Sequence, residues 1–155
     1  VDWLLAHQNS AGGSGESCGS YVDDSFRGVA PSTASQTAWA LLALISAGEF
    51  ENLACRRGVK YLVNTQLDGG FWDEPYFTGA GFPGYGVGER LKTLLKSGDS
   101  GFQGLDMPAG FMINYHMYRN YWPLMALGRF TRATQCHRIT SPAVAGPTNK
   151  RETPE

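Results

Sequence analysis

Few side chains in this chain suit acid–base or nucleophilic chemistry, and each also fits a simpler role. Adjacent carboxylates occur at Asp23-Asp24 and Asp73-Glu74, and paired carboxylates are common general acids and bases. Asp73-Glu74 directly follows a glycine turn and a tryptophan, a position typical of a cap or a solvated pair. Glu16 could act as a general base beside the Cys18 thiol. However, the Gly/Ser-rich sequence around them favours a loop without a catalytic role.

Histidine and cysteine do not suggest a metal site. His7 and His116 each stand alone in the sequence, and solitary histidines are usually structural. The three cysteines lie far apart, at positions 18, 55 and 136, without a Cys-x-x-Cys pair. This spacing argues against zinc and against a disulfide framework, and it favours a reducing compartment. We therefore expect no metal.

Composition limits the function classes. The 155 residues are 42% hydrophobic and 17% charged, with a net charge of -1, which excludes a basic nucleic-acid binder and wholesale disorder. No apolar run reaches the roughly 18 residues of a membrane span. Aromatic residues make up 12% of the chain beside 20 glycines, which indicates tight turns packed against flat side chains.

The first half of the chain predicts helices in two layers. A helix runs from Val1 to about Asn9. A second, over residues 34–47, begins at a capping box of Thr33 and Gln36 and ends at Gly48. This second helix is apolar nearly all round, so we expect it to be buried on every side. A third helix, over about 51–65, is amphipathic and half exposed, and such a pair is typical of a helical toroid.

The second half predicts a long loop and one more helical region. Residues 69–110 are rich in glycine and are expected to be mostly loop. Residues 111–130 are expected to be helical, with Pro123 opening a fresh helix. We predict a tail over 131–155, disordered from about residue 141. Because Val1 lies inside a helical pattern, we expect the chain to be part of a longer protein.

An internal repeat relates two glycine turns. Val1–Glu16 aligns without a gap to Val59–Glu74, and fixed-period self-similarity is a repeat signature. We expect the glutamine to bond backbone groups at a helix end and the tryptophan ring to cover its amide. This makes a structural staple. In the first repeat Ser14 stands at the tryptophan position and Ala11 precedes the glycines, so we expect a weaker staple there. The repeat residues are Gln8, Gly12, Gln66, Gly70 and Trp72.

Longer motifs connect the chain to a known family. The pattern Arg57-Gly58-x-x-Tyr61-Leu62-x-x-x-Gln66-x-x-x-Gly70-x-Trp72 resembles the QW repeat of triterpene cyclases. The segments PSTASQTAWALLAL, EPYFTGAGFPG and NYHMYRNYWPLMALGRF resemble the C-terminal segment of squalene–hopene cyclases. The resemblance covers residues 1–130.

The resemblance implies an all-α fold, with residues 1–130 forming the C-terminal portion of an (α/α)6 barrel and 131–155 a tail. It implies a parent enzyme that converts squalene to pentacyclic hopanoids through a carbocation cascade started by an acid in a D-x-D-D motif. That motif is absent from this chain, so no catalytic acid is assigned here and the isolated chain is expected to be inactive. The resemblance also implies no metal or organic cofactor, a homodimeric parent, and monotopic association with the cytoplasmic face of a bacterial membrane.

Five residues are implied to line the substrate cavity. Aromatic rings suit that place because their faces attract a carbocation without acting as nucleophiles. By resemblance, Phe82, Phe111 and Tyr115 contact the cavity, Tyr118 supports its wall, and Ile113 fills an aliphatic wall position. Two alternatives remain open: a fragment of the oxidosqualene cyclase type, and a non-catalytic helical-toroid interaction module.

Overall fold

Helices carry most of the backbone that the structure describes. The computed structural model describes residues 1–17, 20, 23–76, 79–81, 111–113 and 115–140. Within these ranges the elements are α1 (Asp2–Ala6), α2 (Ala34–Ser46), α3 (Leu53–Thr65) and α4 (Tyr118–Thr140), with strands β1 (Gly79–Gly81) and β2 (Phe111–Ile113) and a 3-10 turn at Asp24–Phe26. The expected all-α class is confirmed, and the antiparallel β1–β2 pair is a local addition to it.

Side chains before α2 determine where it begins. The Thr33 hydroxyl oxygen accepts a hydrogen bond from the Gln36 backbone N–H at 3.2 Å, as the sequence predicts for an N-cap. The prediction of a full capping box is wrong, because the Gln36 side chain does not bond back to the Thr33 backbone. The Gln36 amide instead bonds both backbone groups of Glu16, while the Thr33 N–H donates to the Ser14 carbonyl at 3.1 Å. The first glycine turn therefore docks on the start of α2.

The end of α2 follows the sequence. Gly48 adopts a φ of 86°, a conformation that glycine reaches without a Cβ clash. The Glu49 N–H donates to Leu44 O at 2.9 Å and the Gly48 N–H to Ile45 O at 3.1 Å. These two bonds form a Schellman motif, which confirms the predicted stop.

Burial of α2 is one-sided, so the expectation that it is buried all round is wrong for the described residues. Ala43 and Ser46 are exposed, and Trp39 and Leu42 are half-buried. The reason is that, among the described elements, α3 and α4 are the ones that pack extensively against this helix. The buried apolar core consists of Ala34, Ala38, Leu41, Leu44, Cys55, Leu62, Trp72 and Ala126.

The amphipathic character predicted for α3 is confirmed. Cys55 and Leu62 face the core, whereas Leu53 and Val63 are exposed. Gly58 lies where α3 meets α2, and a Cβ there would come within 2.9 Å of Leu41 Cδ2. The missing side chain lets the two helices approach closely.

The region after residue 110 differs from expectation. Phe111–Ile113 is a strand rather than helix, because it pairs with β1, a partner distant in sequence. Pro123 does not open a new helix but lies inside α4, where its ring is fully buried. A proline there leaves the Arg119 carbonyl without its helical partner, and burial of the ring offsets this loss. Helix α4 crosses the suggested boundary between residues 130 and 131, and the suggested tail from 141 lies outside the described residues.

Candidate functional site

An aromatic cluster at the start of α4 is the main candidate site. Tyr118 stacks on Tyr115 with ring centroids 4.8 Å apart. It meets Trp39 of α2 edge-on at 5.8 Å and Trp122 at 6.0 Å. Tyr121 lies 5.5 Å from Tyr118 and 5.3 Å from Trp122. Tyr118 is thus the centre of five rings contributed by two helices and the turn before α4.

The cluster presents neutral aromatic surface. Tyr115 is 47% exposed, while Tyr118, Trp39 and Trp122 are half-buried. Loss of solvation, and then the neighbouring Tyr118, raise the pKa of Tyr121 above its ordinary value, so its phenol stays protonated near neutrality. A cation over such a face gains about 2 kcal/mol when desolvated. The chemistry available here is stabilisation of positive charge rather than proton transfer.

The structure brings some of the proposed cavity residues together. Tyr115 and Tyr118 stack, as described above. Phe111 and Ile113 belong to β2, where they pair with Gly81 and Gly79. Phe82 lies outside the described residues. The β1–β2 pair therefore brings the chain just before position 82 beside Phe111.

Sequence reasoning missed three members of the cluster. The sequence pattern places position 39 only within a buried helix, and no site role is predicted for Trp39, Tyr121 or Trp122. A signal was present, because Tyr121 and Trp122 follow Tyr118 at i+3 and i+4, the spacing that places side chains on one helix face. The contribution of Trp39 needs the contact between α2 and α4 and has no local signature.

The two aligned glycine turns have the same internal hydrogen bonds. The Gln8 amide donates to Gly12 O at 2.8 Å, and the Gln66 amide donates to Gly70 O at 3.1 Å. The Gly12 and Gly70 N–H groups each donate back across their turn at 2.8 Å. Both glycines have positive φ, 91° and 78°. Within the described residues, Gln8 but not Gln66 also reaches a neighbouring helix, because Gln8 donates to Ala54 O of α3 at 2.7 Å.

The turns differ at the tryptophan position. The Trp72 indole N–H donates to Leu62 O at 2.8 Å, and the ring is 1% exposed. At Ser14 the backbone N–H donates to Thr37 Oγ1 at 2.9 Å. A shallow crevice lies beside it, lined by Leu4, Gln8, Gly12, Ser14, Thr37, Ala40, Leu41, Leu44 and Gly58. Among the described contacts, the glutamine bond to a helix end occurs at the first turn, from Gln8 to Ala54 O. At the second turn Gln66 bonds its own turn, and the Trp72 indole bonds the helix carbonyl instead.

The remaining ionisable candidates serve local structure. The Glu16 carboxylate accepts from the Ser20 hydroxyl at 2.7 Å and from the Gly28 N–H at 2.9 Å, as befits a loop. A backbone hydrogen bond from Ser25 lowers the pKa of Asp23. The His7 ring stacks on Trp3 at 4.2 Å. Among residues the structure describes, no three potential ligands converge on a metal position.

Comparison with known proteins decides the family. The model of the squalene–hopene cyclase C-terminal domain matches residues 1–87, which is more than half of the chain. This chain belongs to the squalene–hopene cyclase family. It is 45% identical over 121 residues to a squalene–hopene cyclase from Alicyclobacillus acidocaldarius subsp. acidocaldarius, covering 78% of the chain and 15% of that protein.

Two further relatives are similar to this chain at lower sequence identity. A squalene–hopene cyclase from Bradyrhizobium diazoefficiens is 43% identical over 84% of this chain and 16% of its own length. A dammaradiene synthase from Dryopteris crassirhizoma is 34% identical over 90% of this chain and 19% of its own length. These two squalene–hopene cyclases are therefore more similar to this chain than the plant enzyme is. The chain spans less than a fifth of the length of these relatives.

No helix among the described ranges is both long enough and apolar enough to cross a membrane.

Proposed function

We propose that this chain is the C-terminal part of a squalene–hopene cyclase whose substrate is squalene and whose products are pentacyclic hopanoids. The proposal is supported chiefly by the partly exposed aromatic cluster around Tyr118, in a chain 45% identical to a squalene–hopene cyclase. Helices α2 to α4 would occupy the end of an (α/α)6 barrel, with the cluster turned toward its interior.

The division of labour follows from the residues present. The chain has no D-x-D-D motif, so the proton that starts the cascade would come from the remainder of the protein. Residues of this segment would stabilise carbocations as rings form, since neutral aromatic faces attract cations without trapping them. We assign this role to Phe82, Phe111 and Tyr115, with Tyr118 and Ile113 completing the wall.

The whole protein would be a homodimer on the cytoplasmic face of a bacterial membrane, where its apolar substrate is dissolved. It would need no metal or organic cofactor, because proton transfer and cation stabilisation suffice for the reaction. The glycine turns that contain Gln8 and Gln66 would act as QW-type staples between barrel helices.

A hybrid enzyme tests the function. The aligned C-terminal segment of the Alicyclobacillus cyclase is replaced by the corresponding residues of this chain, and squalene products are measured by gas chromatography with mass spectrometry. We expect hopanoid products from the hybrid and none from the isolated chain. Tyr115→Ala in the hybrid is expected to lower turnover roughly thirtyfold, the equivalent of a ~2 kcal/mol cation–π contact, whereas Tyr115→Phe retains the ring face.

Phe26→Ala is the matched control, because Phe26 is also an exposed aromatic residue, at 45%, but lies outside the cluster. It is expected to leave turnover unchanged. A folded hybrid that makes no cyclised product would contradict the enzymatic proposal and favour an interaction module. Full turnover in Tyr115→Ala would contradict the cavity role alone.

A further inference from the structure

A short segment after the second glycine turn contacts three helices. This segment, the 72–74 strap, consists of Trp72, Asp73 and Glu74. Trp72 bonds Leu62 O of α3 through its indole N–H at 2.8 Å. Asp73 forms an ion pair with Arg119 of α4, with 3.5 Å between Oδ1 and Nη1. Glu74 bonds the start of α2, and no helical hydrogen bonds of its own hold this extended segment.

Glu74 is the most firmly bound member of the strap. Its carboxylate accepts from the Ser35 hydroxyl at 2.6 Å and from the Ser35 backbone N–H at 2.9 Å. Glu74 is 4% exposed and Ser35 is 0% exposed. A buried carboxylate is costly unless it is hydrogen-bonded, and the positive end of a helix dipole favours it. These two bonds therefore fix the position of the strap relative to α2.

The contacts between the strap and α4 are weaker. The Trp72 backbone N–H donates to Asn120 Oδ1 at 3.5 Å, and the Asp73–Arg119 pair is also 3.5 Å long. The Asp73 side chain is 74% exposed, and exposed ion pairs contribute little by themselves. Such contacts orient α4 only if the strap itself is held firmly. Arg119 and Asn120 directly follow Tyr118, the centre of the aromatic cluster.

We propose that Glu74 is a positioning residue for this aromatic cluster. By bonding Ser35 it holds the strap, and through Trp72 and Asp73 the strap holds the first turn of α4, which carries Tyr118. Thr33 caps α2 by bonding the Gln36 N–H. Glu74 satisfies a second donor of the first turn, the Ser35 N–H. The same carboxylate therefore caps α2 and ties the strap to it. The coupling is a property of the chain alone, and only its consequence for substrate depends on the proposed function.

Hydrogen–deuterium exchange resolved by peptides tests the coupling in the 155-residue chain without any substrate. The variants are Glu74→Ala, Glu74→Gln and Ser35→Ala, and Asp68→Asn is the matched control, because Asp68 is an exposed carboxylate of the same repeat. In Glu74→Ala we expect roughly tenfold or faster exchange both at the start of α2 and in the peptide over 115–125. The middle of α3 should exchange as in the unmodified chain.

Glu74→Gln serves as the conservative rescue, because its amide can accept from the Ser35 N–H and donate to the hydroxyl. We expect its exchange over 115–125 to stay within about threefold of the unmodified chain. Ser35→Ala should give an intermediate increase in both peptides. Faster exchange at the start of α2 without any change over 115–125 would overturn the proposal, because Glu74 would then act only as a cap of α2. If Glu74→Ala fails to fold, exchange over 115–125 is compared between Ser35→Ala and Glu74→Gln. Faster exchange there in Ser35→Ala than in Glu74→Gln would support the proposal, and equal exchange would overturn it.

Discussion

The indole N–H of Trp72 donates to the carbonyl of Leu62 over 2.8 Å, and both residues are buried. Helix α3 ends three residues later, at Thr65, and its C-cap Gln66 has an extended backbone with ψ of 132°. A side chain ten positions further along the sequence thus occupies a carbonyl in the last turn of the helix. One residue therefore packs in the core and also satisfies a carbonyl in the last turn of α3.

Replacing Trp72 by Phe tests the indole bond. The ring would still fill most of the site, but the buried Leu62 carbonyl would keep, among the described contacts, only the 3.4 Å bond from the Thr65 hydroxyl. We therefore expect a loss of about 1–3 kcal/mol in the free energy of unfolding. Urea denaturation followed by circular dichroism measures it. Trp3→Phe is the control, because Trp3 is 48% exposed and surface changes usually stay within about 0.5 kcal/mol. Equal losses in both variants would contradict the assignment.

The two repeat glutamines form a matched pair. Gln8 is part-buried and bonds both Gly12 O and Ala54 O, whereas Gln66 is exposed and bonds Gly70 O. We expect Gln8→Ala to lower the free energy of unfolding by about 1–2 kcal/mol, and Gln66→Ala by less than about 0.5 kcal/mol. Urea midpoints with unchanged slopes give both values. A larger loss from Gln66→Ala would show that its described contacts understate its role.

Alanine substitutions at Gly12 and Gly70 distinguish the cost of backbone strain from the cost of steric crowding. Alanine at either position meets the positive-φ penalty of about 1–2 kcal/mol, because φ is 91° at Gly12 and 78° at Gly70. A Cβ at Gly12 would also lie 2.7 Å from Arg57 O, while nothing lies within 4 Å at Gly70. We expect Gly12→Ala to cost about 1–3 kcal/mol more than Gly70→Ala in thermal or urea unfolding. Equal costs would mean that the first turn moves away from Arg57 freely.

The thiol of Cys55 should react slowly in the folded chain. Burial raises its pKa to about 11 from an ordinary 9.0, with Arg56 opposing the shift. Because the reactive species is the thiolate, we expect Cys136, which is exposed, to be alkylated at pH 8 long before Cys55. Mass spectrometry of the modified peptides distinguishes the two sites. Early modification of Cys55 would contradict its burial.

The same shift makes stability depend on pH. The folded chain holds the Cys55 proton more tightly than the unfolded chain, so this contribution is complete below about pH 9 and is lost as pH rises through about 11. We expect the urea midpoint to fall between pH 8 and pH 10.5 in the unmodified chain. Cys55→Ala removes this contribution, so its midpoint should fall less. A midpoint that rises with pH only in the protein with Cys55 would contradict it.

Local signals in the sequence were enough to locate the well-capped helices. Thr33 and Gly48 mark the ends of α2 because each acts on backbone groups within a few residues of itself. The amphipathic pattern of α3 was equally legible, since one helical face carries its apolar residues. Phe111–Ile113 was misread as helix because its strand partner, Gly79–Gly81, is distant in the sequence.

The sequence by itself determined the family, the helical class, the repeat of the glycine turns and the candidate aromatic residues, because each depends on motifs or on periodicity within a short window. Only the tertiary structure decided that Trp39 joins Tyr118 and Trp122, and that Glu74 binds Ser35. These contacts join residues from separate elements. They exist only once α2, α3 and α4 have packed, since hydrophobic burial sets their mutual placement and local propensity carries no information about it.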